Sequence, residues 1–96
     1  MKVAAIIILF ICCLAENVYS YDINSYCKSV SEVAGGSYQI EETCRKMEKQ
    51  SKKNISKMKV SKRIKKYCDE VGKAAGGSYQ IMETCIDQEL SAKSRL

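Results

Sequence analysis

The sequence predicts an all-α protein, two tandem disulfide-stapled αα-hairpins joined by a basic, helical connector. Three observations carry this expectation. Residues 26–44, "YCKSVSEVAGGSYQIEETC", recur forty-one positions later at 67–85 as "YCDEVGKAAGGSYQIMETC", with thirteen of nineteen positions identical and no gap. Each copy holds two cysteines in the frame Cys-x16-Cys. Each also carries a Gly-Gly-Ser corner between two stretches of helical period. Duplication of one supersecondary unit accounts for all three.

In chain order, the first element is residues 1–20, "MKVAAIIILFICCLAENVYS", which read as a signal peptide. Lys2 is basic, the run from Val3 to Leu14 is apolar, and Val18 and Ser20 suit the positions a signal peptidase reads. Cleavage is expected between Ser20 and Tyr21, with a second option after Ala15. The apolar run is too short to span a bilayer as a stable helix. Export to a secreted or extracellular location follows, or to the periplasm in a bacterium. The remainder divides into a first hairpin at 21–48, a basic connector at 49–63 and a second hairpin at 64–96.

In the first copy Tyr26, Cys27, Val30, Val33 and Ala34 recur at steps of three and four, a helical stripe. Ile64, Cys68, Val71, Ala74 and Ala75 repeat it. Gly35 and Gly36 then end the helix, because glycine takes the left-handed conformation without a Cβ penalty. Ser37 is placed as the N-cap of the next helix, and Glu41 and Glu42 lie near its positive end. Ile40, Cys44 and Met47 are expected to mark the buried face of that helix, as are Met82, Cys85, Ile86 and Leu90 in the second copy.

The cysteine pairing follows from the corner. Cys27 lies eight residues before Gly35 and Cys44 eight after Gly36. In an antiparallel pair, positions equidistant from the turn face each other, and a unit copied whole carries its bond inside itself. The expected disulfides are therefore Cys27–Cys44 and Cys68–Cys85. An even cysteine count in a small exported chain fits such a framework, and a domain this small rarely stabilises itself by apolar burial alone. Zinc would call for short Cys-x2-4-Cys pairs or histidines; the chain has no histidine and no such pair after residue 20. No metal or cofactor is expected.

Charge is concentrated. Residues 45–66 hold eleven Lys or Arg against the single acid Glu48, a local charge of +10, whereas 21–44 sum to −3 and 67–96 to −2. Such asymmetry points to an anionic partner: membrane surface, bacterial envelope or glycan, with nucleic acid a less expected one. The candidate anion-binding residues are Lys52, Lys53, Lys57, Lys59, Lys62, Arg63, Lys65 and Lys66. Two plainer readings stand beside this one. The connector is a solvated helical face, interrupted near Lys53 and Ser56, or its dibasic pairs Lys52-Lys53, Lys62-Arg63 and Lys65-Lys66 are processing sites that release two stapled peptides. Asn54-Ile55-Ser56 is a glycosylation sequon, meaningful only in a eukaryotic secretory pathway.

Catalysis is not expected. Without histidine there is no Ser-His, Cys-His or His-metal mechanism. The paired acids Glu41–Glu42 and Asp69–Glu70 point about 100° apart on a helix and read as solvated. Each Gly-Gly-Ser corner opens a helix whose free amides suit an anion, although a serine cap explains the motif by itself. Tyr38 and Gln39 recur as Tyr79 and Gln80, more than a corner requires. They either pack across the corner or form a repeated contact surface of the kind binding hot spots use.

The Cys…Gly-Gly-Ser-Tyr-x-Ile…Cys frame of each copy resembles one found in small exported bacterial proteins without assigned function. The resemblance covers about nineteen residues per copy and implies no activity. The tandem copy and basic connector depart from a single-copy pattern, and the chain is also compatible with a eukaryotic secreted peptide. The expected function is binding: a small secreted protein of defence or effector type engaging an anionic surface, membrane-active killing being one form of this. The alternative is a protein-interaction module, an inhibitor or ligand, acting through the repeated corners.

Overall fold

The computed structural model describes residues 20–96, so the expected signal peptide lies outside the described residues except for Ser20. The described chain is helical throughout: α1 (Ile23–Val33), α2 (Tyr38–Lys57), α3 (Lys62–Ala74) and α4 (Tyr79–Ser94). None of these helices is long and apolar enough to cross a membrane.

Every helix start is chemically specified. The Asp22 carboxylate accepts from the Ser25 amide, and Ser37, Ser61 and Ser78 accept from the amides of Ile40, Ile64 and Ile81. Each satisfies one of the amides a helix leaves without an internal partner. At the two corners the chain leaves its helix through glycines with positive φ, 84° at Gly36 and 88° at Gly77. Their amides donate to the carbonyls of Ser31 and Gly72, closing each helix as a glycine C-terminus does.

Cys27 is bonded to Cys44 and Cys68 to Cys85, with Cα atoms 5.5 Å apart in both, the pairing expected from the spacing. The first disulfide links α1 to α2 and the second links α3 to α4. A third interface, between α2 and α4, joins the two helix pairs. There the core forms: Ile55 of α2 meets Ile64, Cys68, Tyr79, Met82, Cys85 and Ile86, with Tyr21, Ile23, Met58, Val60 and Val71 packed around them.

The buried face of α2 differs from the expected one. Cys44, Glu48, Ser51 and Ile55 are the buried residues, whereas Ile40 and Met47 are 38% and 50% exposed and Val33 of α1 is 91% exposed. The stripe turned inward because the second helix pair docks on the side of α2 that carries Glu48. Ile40 and Met47, on the flank of that side, line an open groove with Tyr26 and Val30 of α1. In the second copy Met82, Cys85 and Ile86 are buried as expected, and Leu90 is 38% exposed.

The break in the connector also falls later than expected. α2 runs unbroken through the Lys53–Ser56 region to Lys57. Ile55 anchors it in the core, and Asn54 ties it to α4 through a 2.9 Å bond from its Nδ2 to Glu83 Oε2. The chain turns instead at residues 58–61, where Met58 and Val60 fold back on the core and Ser61 caps α3.

Candidate functional site: a basic elbow and two unlike corners

The turn between α2 and α3 is an elbow flanked by cations. Lys52, Lys53, Lys57, Lys59, Lys62, Arg63 and Lys66 are exposed and Lys65 is half-buried. On α2, Lys49, Lys53 and Lys57 follow one another at steps of four, on the side away from Glu48, Ser51 and Ile55. The ion pairs among the described residues are Arg45–Glu41, Lys46–Glu42 and Lys73–Asp69. All three lie outside the elbow, so none of the eight candidate anion-binding residues has a carboxylate partner among the described residues. Lys52 alone has another use, its Nζ lying 5.6 Å from the centre of the Tyr79 ring, within cation–π range.

The start of α3 breaks a local rule. Lys62 and Arg63 occupy its first two positions and the first turn holds no acid, although the helix dipole disfavours cations there. The positive end of the helix thus adds to the side-chain charge. The apolar members of the elbow face inward, so its outer surface is polar and cationic.

The two corners, nearly identical in sequence, sit in different surroundings. Tyr38 is 87% exposed and Gln39 is exposed. Tyr79 is 1% exposed and Ser78 fully buried. The difference is made by Glu48, the single acid of the basic stretch, buried at 0% exposure on α2. Its Oε1 accepts from the Tyr79 amide at 2.7 Å; its Oε2 accepts from the Ser78 hydroxyl at 2.8 Å, the Gln80 amide at 3.2 Å and the Gln80 side-chain amide at 2.9 Å. A carboxylate thus occupies the amino end of α4, where free amides and the helix dipole favour negative charge. The anion suited to the Gly-Gly-Ser helix start is, in the second copy, supplied by the chain itself.

Tyr21 completes this contact. Its ring lies 4.5 Å from that of Tyr79, its amide donates to Tyr79 Oη at 2.9 Å, and its hydroxyl donates to Asp69 Oδ1 at 2.6 Å. Sequence reasoning missed Glu48 as a structural centre. The available signal was its isolation among eleven cations and its place on the helical stripe running from Cys44 to Ile55.

Other singled-out residues have local roles. Glu41 and Glu42 pair with Arg45 and Lys46 one turn on, and Asp69 pairs with Lys73. Asn54 is half-buried in α2, and the nitrogen a glycan would occupy is the one bonded to Glu83. The dibasic pair Lys52-Lys53 lies inside α2, and Lys62-Arg63 and Lys65-Lys66 lie in the first turns of α3, so cleavage of the folded chain requires helix unwinding. No match to this chain was found among protein-family models, curated proteins or solved structures.

Proposed function

We propose that this is a small exported binding protein, two tandem stapled hairpins that present the α2–α3 elbow to an anionic surface. The observation that carries the reading is the set of eight cations around one turn without a carboxylate partner among the described residues. The unfavourable placement of Lys62 and Arg63 at the start of α3 supports it, since local rules are most often broken where function requires it. Met58 and Val60 are half-buried against the core, so the elbow's most exposed side chains are its cations. Binding is therefore peripheral and electrostatic, and it concerns headgroups, envelope polymers or glycans rather than a bilayer interior.

The test is co-sedimentation with vesicles containing about a third phosphatidylserine or phosphatidylglycerol, across a salt series. Each cation near such a surface contributes about 1 kcal/mol, so replacing Lys57, Lys59, Lys62 and Lys65 with Gln costs about 4 kcal/mol, on the order of 10³ in affinity. Binding by the unaltered chain falls steeply as screening shortens to about 8 Å at physiological ionic strength. Salt-insensitive binding, or binding unaffected by the four replacements, would reduce the elbow to a linker. The second reading, a protein-interaction module, is favoured by one observation, the exposed first corner with Tyr38 and Gln39.

A further inference from the structure

The contact between the two helix pairs has an insert, the second corner, and a receptor, the groove formed by α2 with the start of α1. The corner is duplicated within 26–44 and 67–85, and carrying the same offset of forty-one residues past those stretches locates a second candidate receptor. We propose that the duplicate corner and this receptor engage each other between molecules, so that the protein associates head to tail with further copies of itself.

The duplicate insert is the first corner, where Ser37, Tyr38 and Gln39 stand at the positions of Ser78, Tyr79 and Gln80, and where Tyr38 is 87% exposed. The duplicate receptor is found by moving the internal one forward by the repeat. Ile23, Glu48, Lys52 and Ile55 become Ile64, Glu89, Lys93 and Leu96. Those four line one open groove of about 510 Å³ between α3 and α4. It keeps a carboxylate for the corner amides, a lysine for the tyrosine ring and two apolar side chains, and adds Arg63 where the internal receptor has Asp22. Leu96, past the end of α4, is 106% exposed, whereas Ile64 is 7% exposed and already packed in the core.

A further pair agrees. The internal contact is bridged by Asn54 bonding Glu83 at 2.9 Å. The corresponding residues on the two open faces are Arg95 and Glu42, so the intermolecular version replaces an amide–carboxylate bond with an ion pair. Three elements lack a counterpart: Lys62 stands where the internal receptor has Tyr21, and Glu41 and Arg45 stand on the first insert where the second has the fully buried Met82 and Ile86. The intermolecular contact is accordingly the weaker of the two. It is heterologous, each molecule offering one insert and one receptor, and such contacts extend into rings or filaments rather than stopping at a two-fold dimer. The inference does not depend on binding to anionic surfaces.

Sedimentation equilibrium of the disulfide-intact chain tests it. The unaltered protein gives an average mass that rises with concentration beyond that of a dimer. Tyr38→Ala removes the insert and Glu89→Gln weakens the receptor, and each variant alone sediments as a monomer where the unaltered chain associates. An equimolar mixture of the two recovers association but stops at a dimer, since only the intact groove of one and the intact corner of the other remain. Helical content by circular dichroism shows that both variants stay folded. A chain that remains monomeric up to its solubility limit would overturn the inference. So would association unaffected by either substitution, the behaviour of a domain-swapped dimer, or a mixture that remains monomeric.

Discussion

Replacing Glu48 with Gln changes one atom and one charge at the centre of the contact between the helix pairs. The carboxylate receives four hydrogen bonds, one on Oε1 and three on Oε2. The less costly orientation of the introduced amide keeps its oxygen where the three donors converge and turns its nitrogen toward the Tyr79 amide. That leaves the Tyr79 amide and the introduced NH2 group without acceptors, about 1–3 kcal/mol, and removes the charge from the amino end of α4, about 0.5–2 kcal/mol in a buried setting. The expected loss is about 2–4 kcal/mol. A domain of this size is stable by roughly 4–11 kcal/mol, so the melting temperature falls by about 10–25 °C. The assay is urea or thermal unfolding followed by circular dichroism at low protein concentration, with the disulfides intact. The control is Glu89→Gln, the same substitution at the duplicate position, where the side chain receives no hydrogen bond from the described residues; it costs under about 0.5 kcal/mol. Equal effects of the two, or an effect of Glu48→Gln within experimental error, would refute the role given to Glu48.

Two further outcomes follow from the same packing. Gly72→Ala places a Cβ 2.7 Å from Tyr21 Oη and 3.2 Å from Met82 Cβ, so it destabilises by about 1–2 kcal/mol despite the better helix propensity of alanine. Combining it with Tyr21→Phe, which removes the crowded oxygen, costs less than the sum of the single changes in equilibrium unfolding; strict additivity would argue against that contact. Replacing either disulfide by paired serines lowers stability by about 3 kcal/mol, the entropy of a loop of this length, and a proteolytic map of the native chain recovers 27 joined to 44 and 68 joined to 85; any crossed pair would contradict the fold.

What the sequence disclosed was local. Cysteines equidistant from a corner, glycines that end a helix and serines that begin one are set by interactions spanning a few residues, and all appear where expected. What escaped depended on how one helix pair meets the other. Ile40 and Met47 have the period of a buried face, but Glu48 lies on the side that docks, and a carboxylate with four donors outweighs the apolar alternative. The two corners are identical as strings, and the copies part only one turn on, where Met82 and Ile86 stand in place of Glu41 and Arg45. The distinction lies in Glu48, thirty-one residues before the tyrosine amide it receives. The continuation of α2 to Lys57 was hidden for the same reason, because Ile55 and Asn54 are held by α4.

The elbow is tested most directly by lysine footprinting on anionic vesicles, with acetylation read residue by residue by mass spectrometry. Lys53, Lys57, Lys59, Lys62, Lys65 and Lys66 should be protected when the protein is bound and recover their reactivity as salt is raised, while Lys28 and Lys73, away from the elbow, react as in free solution. Protection spread evenly over all lysines, or centred on Lys28 and Lys73, would contradict the account.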